Sequence, residues 1–529
     1  MIFSKQSVVK SLKISSRIFL AVFLFGVIFF GNTNSAFAAV KTWTGATSNL
    51  WSLGSNWGGT APVTGDDLVF PGGASNLSNT NDLTPNTIFN SITFSAGGYT
   101  LSGNSIILGQ GLAGITDSAA SGGNEIAFDI RLDNVAPILR DIIVTNTAET
   151  LTISGKIAGV GGFNKEGTGK LVLSGANSFG GILKINVGVV NAQNSRALGT
   201  FLAGTEVVGN AALELQGNID IGYEALALRG WGVSGAGALR NISGDNTYGG
   251  LITMIAGGAE IASDSGTLTL FGGAAGAFPL VIDGAGDVIF SKTPIAIAGG
   301  TVTKNGAGTL TYNFPNTYTG LTTINAGTLL YGTDNAILTS AITVTGGTLD
   351  IATYSDMVGT VTLGTLDLAS GTITGTTGML SSASFVVYNG TISAIIAGDG
   401  GALAKSTPGT VVLTRDNQYT GATTVTAGIL EVQDDYSLGL IDGITTVSAG
   451  ATLQINGNGI SIPEYITFSG TGHLYTGAIR NMTGNNSLTG LLTMGAAAMI
   501  KPDVSTTLTI DGKGLSATTL GLTIAGAGN

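Results

Sequence analysis

The sequence predicts an all-β protein built as a parallel solenoid, in which successive coils of short strands stack on one another. Three observations predict this class: internal repeats that keep their register, short segments that alternate apolar and polar residues, and abundant glycine. Glycine supplies 84 of 529 residues, whereas charged residues make up only 10%. Most glycines must lie in turns, because glycine inside strands is destabilising. We find no convincing helical period beyond residue 40.

Three segments share one spacing of lysine, glycine, asparagine and an aromatic residue. They run from Lys165 to Gly181, from Lys304 to Gly320 and from Lys405 to Gly421. The shared asparagine, aromatic and second glycine are Asn177, Phe179 and Gly188 in the first, Asn316, Tyr318 and Gly327 in the second, and Asn417, Tyr419 and Gly428 in the third. Because asparagine bends a chain by bonding its own backbone, we expect it at a corner that the aromatic covers. The functional alternative is an aromatic that stacks on a sugar.

A longer duplication relates residues 161–272 to residues 401–512. Leu213 corresponds to Leu453 and Arg240 to Arg480, so register holds over the whole segment. A fold tolerates such a duplication when it grows by stacking units. Alternating segments such as 342–345 and 347–351 predict strands with one buried face, and glycine, asparagine and aspartate mark the turns between them.

Residues 1–38 read as a secretory signal peptide. A basic start without acids precedes the apolar run 18–30, and Ala36-Phe37-Ala38 is a small-x-small cleavage site, so cleavage is expected after Ala38. A membrane anchor is the alternative, but the run is short for a bilayer span. Cleavage would change the formal net charge from −11 to −15. Such an acidic surface argues against nucleic acid as a partner.

The mature chain is expected to begin with a tryptophan-rich capping segment, residues 39–110, followed by a repeat region, residues 111–529. Trp43, Trp51 and Trp57 would close the first coil, because an open solenoid end invites end-to-end pairing. An exposed trio that binds carbohydrate is the alternative. Cysteine is absent, which excludes disulfides, catalytic thiols and cysteine metal sites.

The three lysine-to-glycine segments closely resemble the autotransporter-associated β-strand repeat, also called the passenger-associated transport repeat. The resemblance implies a right-handed parallel β-helix of the pectin-lyase type. It also implies a surface-exposed or secreted passenger that an outer-membrane translocator carries across the membrane. Because no translocator signature is visible up to Asn529, we expect a chain truncated at its C-terminus, the alternative being a separate translocator.

Residues that carry chemistry are sparse. His473 is a lone histidine whose counterpart in the other copy is Val233, so we expect a surface residue and no metal site or Ser-His-Asp triad. Adjacent strand residues point to opposite faces, so neither Asp66-Asp67 nor Asp434-Asp435 forms a facing acid/base couple by itself, and we expect both pairs to be solvated turn residues. The sequence therefore predicts no catalytic, cofactor-binding or metal-binding residues and no cofactor.

The leading functional hypothesis is a structural or adhesive β-helical rod at the bacterial surface, without a catalytic site. Its expected partner is a host-cell or extracellular glycan or protein receptor. One alternative is a polysaccharide-binding or polysaccharide-degrading enzyme, which rests on fold analogy alone. The other is a set of repeats that mainly assists the secretion and folding of a downstream region.

Overall fold

The chain forms a stack of about 20 coils in which every strand pairing is parallel. The computed structural model describes residues 38–109, 113–133, 139–511, 513–516 and 520–527. The proposed signal peptide up to Phe37 lies outside these residues. Most coils contribute a strand to each of three columns, and strands of one column pair with those of neighbouring coils. The prediction of an all-β parallel solenoid is confirmed.

The strand bounds follow the three columns in chain order. The first column contains Val40–Thr42, Asp67–Phe70, Ser91–Phe94, Ala113–Asp117, Arg140–Val144, Phe163–Glu166, Leu183–Ile185, Thr205–Val207, Leu226–Gly230, the start of Ile252–Ser263, Ala274–Ala275, Ile295–Ala296, Asp356–Met357, the ends of Gly371–Ser381 and Gly390–Gly398, Gln418–Tyr419, Ser461–Ile462, Asn485–Leu488 and Thr507–Ile510. The second contains Ser78–Asn81, Thr100–Gly103, Asn124–Ile126, Thr150–Ile153, Lys170–Leu173, Val189–Ala192, Ala212–Gln216, Leu239–Ser243, the end of Ile252–Ser263, Leu280–Asp283, Val302–Lys304, Thr322–Ile324, Ile342–Val344, Val361–Leu363, Ser384–Val387, Ala402–Lys405, Thr423–Val425, Ile444–Val447, Tyr465–Gly470, the start of Leu492–Pro502 and Leu515–Ser516. The third contains Thr87–Phe89, Ile106–Leu108, Ile130–Leu132, Ile157–Gly159, Ser178–Phe179, Asp220–Ile221, Asn246–Tyr248, Thr267–Leu270, Asp287–Phe290, Thr309–Tyr312, Thr328–Tyr331, Thr348–Asp350, the starts of Gly371–Ser381 and Gly390–Gly398, Thr410–Leu413, Gly428–Val432, Ala451–Asn456, Ile479–Thr483, the end of Leu492–Pro502 and Leu522–Ile524.

The core consists of inward-facing side chains that stack in register from coil to coil. In the second column Leu151, Leu171, Val190, Leu213 and Leu239 lie on successive coils, and all five are fully buried. Burying one such side chain contributes about 1.5–3 kcal/mol. The alternation seen in the sequence therefore places one apolar row inside and one polar row outside each column.

The described residues contain three short 3-10 helices and no α-helix: Gly54–Trp57, Val233–Gly235 and His473–Tyr475. The last two lie at equivalent places in the two copies of the duplication. Each follows a glycine with positive φ, Gly232 at 76° and Gly472 at 80°. No helix in the ranges given above is long and apolar enough to cross a lipid bilayer.

Trp43, Trp51 and Trp57 are buried and pack against one another at the start of the stack. Ring centroids lie 4.9 Å apart for Trp43 and Trp57 and 5.7 Å apart for Trp51 and Trp57, both edge to face. Each indole also donates a hydrogen bond, as Trp51 Nε1 does to Asn79 Oδ1 at 2.7 Å. This burial contradicts an exposed sugar-binding trio. The segment bounds at residues 38 and 110 stay predictions.

The repeated motif does not always fall in the same column. Lys165 lies in the first column, where it pairs with Ile142 and Ile185. Lys304 and Lys405 lie in the second column. The number of strands between the first two motifs is therefore not a multiple of three, and the second motif is displaced by one side of the coil.

Candidate functional site

The motif lysines point into the solenoid, within rows of aliphatic side chains. Lys304 occupies the position of Ile282 in the preceding coil and of Ile324 in the following one. Lys165 and Lys405 are fully buried, and Lys304 is only 2% exposed. Since a charged group is rarely buried without partners, each amine must find acceptors inside the coil.

Backbone carbonyls of the turns supply those acceptors. Lys165 Nζ donates to the carbonyl oxygens of Glu166 at 2.8 Å, Gly167 at 2.7 Å and Val187 at 3.1 Å. Lys405 Nζ donates to the carbonyl oxygen of Thr407 and to that of Ala427, the latter at 3.1 Å. The lysine thus ties the turn of its own coil to the turn of the next coil.

The glycine after each motif leaves room for the amine. Gly188 has φ 74°, and a Cβ placed there would lie 3.0 Å from Lys165 Nζ. Gly327 has φ 64°, and a Cβ there would lie 2.8 Å from Lys304 Nζ. Any other residue would be strained and would crowd the ammonium.

Burial also changes the acidity of these amines. Desolvation lowers the pKa of Lys165 to about 7 from an ordinary 10.5. It lowers the pKa of Lys304 and of Lys405 to about 8. The amines touch only backbone and a threonine hydroxyl, so their arrangement supports the coil and offers no substrate-binding geometry.

The motif asparagines connect three successive coils. Asn177 Oδ1 accepts the Ile157 amide at 2.8 Å from the coil before, and its Nδ2 donates to the Ala197 carbonyl at 2.7 Å in the coil after. Asn417 repeats this with Ile396 at 3.0 Å and Ser437 at 2.8 Å. The expected bond to the residue's own backbone was wrong, because a stacked neighbour offers buried groups that need partners.

The motif aromatics are buried, as the corner interpretation predicts. Phe179, Tyr318 and Tyr419 are at most 1% exposed. Phe179 packs edge to face on Phe163 with ring centroids 5.3 Å apart. Tyr419 Oη lies 2.8 Å from Thr423 Oγ1. None of the three presents a face on which a sugar can stack.

Two buried glutamates at equivalent places in the duplication escaped the sequence analysis. Glu224 Oε1 accepts the Thr205 hydroxyl at 3.0 Å, and Glu464 Oε1 accepts the Thr445 hydroxyl at 3.4 Å. In each the other oxygen, Oε2, has no partner among the described residues. Burial raises the pKa of Glu224 to about 7 and that of Glu464 to about 8. An alignment of the two copies could have revealed these glutamates, because they occupy matching positions.

The residues singled out for chemistry do not come together. Asp66 is buried, a correction to its expected solvation, and its oxygens accept the amides of Ala39 at 3.1 Å and Val63 at 2.9 Å. Asp435 Oδ1 accepts the Ser461 amide at 2.7 Å. His473 is half-buried in its 3-10 turn. No group of three or more acidic or histidine side chains in the described part of the chain is arranged to hold a metal ion.

On the outward faces, threonines of several successive coils lie in register. Two threonine rows cover the middle of the stack. The row in the second column contains Thr303, Thr323, Thr343 and Thr362. The row in the third column contains Thr309, Thr328, Thr348, Thr372 and Thr391. Parallel pairing sets successive hydroxyls about 4.8 Å apart.

These features define a repeat-bearing β-solenoid whose motif residues are structural. A family model described as the passenger-associated-transport-repeat matches residues 163–192, 302–330 and 403–432. The chain therefore contains three passenger-associated transport repeats, and the resemblance found in the sequence is confirmed. One curated relative is the adhesin BmaC autotransporter of Brucella suis biovar 1 (strain 1330), 32% identical over 191 residues. That match covers 36% of this chain and 4% of the relative. No solved structure matches the chain.

Proposed function

We propose that the mature chain is a surface-exposed or secreted autotransporter-type passenger that acts as an adhesive rod without a catalytic site. One observation carries the proposal: three passenger-associated transport repeats build a stacked solenoid, and the chain is similar to an autotransporter adhesin. The side chains of the motif lysines, asparagines and aromatics are all buried inside the solenoid. What remains for binding is the outer surface of the coils.

The two threonine rows are the surface that we assign to adhesion. They offer hydroxyl and methyl groups in register, and side chains that are half-buried by their neighbours. Many weak contacts of one kind add up when a partner spans several coils. The partner class that fits is a host-cell or extracellular glycan or protein receptor with uncharged polar groups.

A deletion tests the adhesive role. Removing residues 302–402 joins Thr301 to Leu403, and Leu403 occupies the same place in the second column as Val302. The shortened chain should fold, keep strand content in circular dichroism and lose binding to cultured cells and glycan arrays. Adhesion that persists undiminished would overturn the assignment to these rows.

Point variants separate adhesion from folding. Thr343→Glu and Thr348→Glu place charges within the two rows, whereas Thr377→Glu places one at an exposed position of the strand Gly371–Ser381, outside the rows. We expect the first two variants together to weaken cell binding by about tenfold, which corresponds to a loss of about 1.4 kcal/mol in binding free energy. The third variant should leave cell binding unchanged. Equal loss from all three variants would indicate a general charge effect.

We also propose that the coils wind in a right-handed, pectin-lyase-like manner, that a signal peptide ending at Ala38 directs export, and that an outer-membrane translocator carries the passenger. The repeat family supports the winding and the translocator, and the order of basic, apolar and small residues in 1–38 supports the signal peptide. N-terminal sequencing of the exported protein tests the cleavage site, and a first residue other than Ala39 would contradict it. Release of new reducing or unsaturated ends from pectin, alginate or host glycans would contradict the absence of catalysis.

A further inference from the structure

A small acidic cavity lies between the loop 232–237 and the two coils that follow it. It has a volume of about 210 Å³ and is lined by Gly235, Ala236, Glu260, Ala262, Asp264, Asp283 and Gly284. The loop is held close to the strand beneath it, since a Cβ at Gly237 would lie 2.8 Å from Ala262 Cβ. The loop therefore covers a row of side chains that would otherwise face solvent.

Glu260 is the unusual member of this cavity. It is only 7% exposed, yet its carboxylate makes no hydrogen bond or ion pair with any described residue. Asp264 differs, because Arg240 Nη2 lies 2.6 Å from its Oδ2. The oxygens of Glu260 are not among the fully buried ones and stay open to the cavity, so a cationic group that pairs with this poorly solvated carboxylate would be bound favourably.

We propose that this cavity binds an organic cation, the guanidinium end of an arginine side chain on a partner protein. The cavity holds several water volumes, which exceeds the room a bare metal ion needs. No three acidic or histidine groups in the described ranges converge as metal ligands. A planar guanidinium bonds two separate carboxylates at once, here Glu260 and Asp283 on successive coils.

The second copy of the duplication provides a natural contrast. Strand pairing makes Met499 the counterpart of Glu260, Lys501 that of Ala262, and Ala525 that of Asp283. Both acids are lost there and a lysine is gained. The covering loop is kept, so the loop is structural whereas the acids belong to the first copy alone.

Binding should release a proton. Burial and the nearby Asp283 raise the pKa of Glu260 to about 7, so the carboxyl is partly protonated at neutral pH. The charged groups around it are Asp283 on the next coil, Arg240 on the previous coil and Asp264, which directly follows its own strand. The covering loop carries no charged residue. A bound guanidinium favours the ionised form, so affinity should rise between about pH 6 and pH 8.

Calorimetry with a matched ligand pair tests the inference on residues 39–529. Acetyl-arginine amide carries the guanidinium, and acetyl-citrulline amide is its uncharged isostere. We expect the arginine ligand to bind and release a proton at pH 7, and the citrulline ligand to bind at least tenfold more weakly. Glu260→Gln and Asp283→Asn should each reduce arginine affinity roughly tenfold, which corresponds to about 1.4 kcal/mol.

Controls make the result decisive. Glu206→Gln removes a half-buried acid paired with Lys184 at 3.3 Å, elsewhere on the stack, and should leave arginine binding unchanged. Equal binding of citrulline amide, or arginine binding that is insensitive to Glu260→Gln, would overturn the proposal. Calcium binding without arginine binding would overturn it as well and would mark a metal site. The adhesive role of the threonine rows stands or falls separately, because none of these variants touches them.

Discussion

The two copies of the duplication, residues 161–272 and 401–512, share a backbone plan but differ in what they present. Inside, both bury a motif lysine, a bridging asparagine and a lone glutamate. Outside, Lys170 and Arg240 pair with Glu214 in the first copy, whereas in the second Gln454 lies between Glu431 and Arg480. The interior is thus fixed by stacking, while the exterior has been free to change.

The largest effect should come from breaking the register of the columns. Removing residues 302–402 keeps the second column continuous, whereas removing residues 302–409 joins Thr301 to Thr410 of the third column. The first deletion should fold and the second should lose cooperative unfolding, because the inward rows no longer meet. Circular dichroism and limited proteolysis compare them. Equal stability of both proteins would show that the columns are not the unit of folding.

The buried glutamates should separate the copies by pH. Their folded pKa values lie above the unfolded value of 4.5, so their stabilising contribution is complete below that pH and is lost as pH rises towards 8. Relative to wild type, Glu464→Gln should gain up to about 5 kcal/mol between pH 4.5 and 8, and Glu224→Gln up to about 3 kcal/mol. Hydrogen exchange of the surrounding coils measures the difference. If the difference in unfolding free energy between variant and wild type did not change with pH, the raised pKa values of the two glutamates would be contradicted.

The bridging asparagines should matter equally in the two copies. Asn177→Ala and Asn417→Ala each leave one amide and one carbonyl buried without partners, which destabilises by about 2–4 kcal/mol. Exposed Asn325, whose Nδ2 donates to Asn305 at 2.9 Å, is the matched control, and its change to alanine should cost less than about 0.5 kcal/mol. Faster exchange confined to the coils next to the substitution is expected. Destabilisation by only one of the two substitutions would contradict the conclusion that both copies have the same interior.

The smallest effect should come from the lone histidine. His473→Val copies Val233 into the same 3-10 turn and should change the free energy of unfolding by less than about 0.5 kcal/mol. Adhesion should also be unchanged. A loss of binding would show that the second copy uses this turn for recognition.

The sequence was sufficient for the solenoid because alternation and register are local properties. Val302-Thr303-Lys304 and Leu403-Ala404-Lys405 even indicate the inward lysine, since period two places it on the same side as valine or leucine. The general preference of lysine for solvent obscured that signal. The displacement of the motif by one column could not be predicted, because it depends on how many strands separate the motifs. The Glu260 cavity depends on a loop folding back over a neighbouring coil, a contact that no local pattern encodes.

The displacement of the motif by one column affects how a partner can approach. The outward row that includes Arg240 belongs to the second column, and the matching row that includes Arg480 belongs to the third. A single flat ligand can therefore lie against only one row at a time, and the two copies cannot bind the same ligand together. Two separate ligands can occupy both rows, so we expect cross-linking of neighbouring partners instead of avidity towards one.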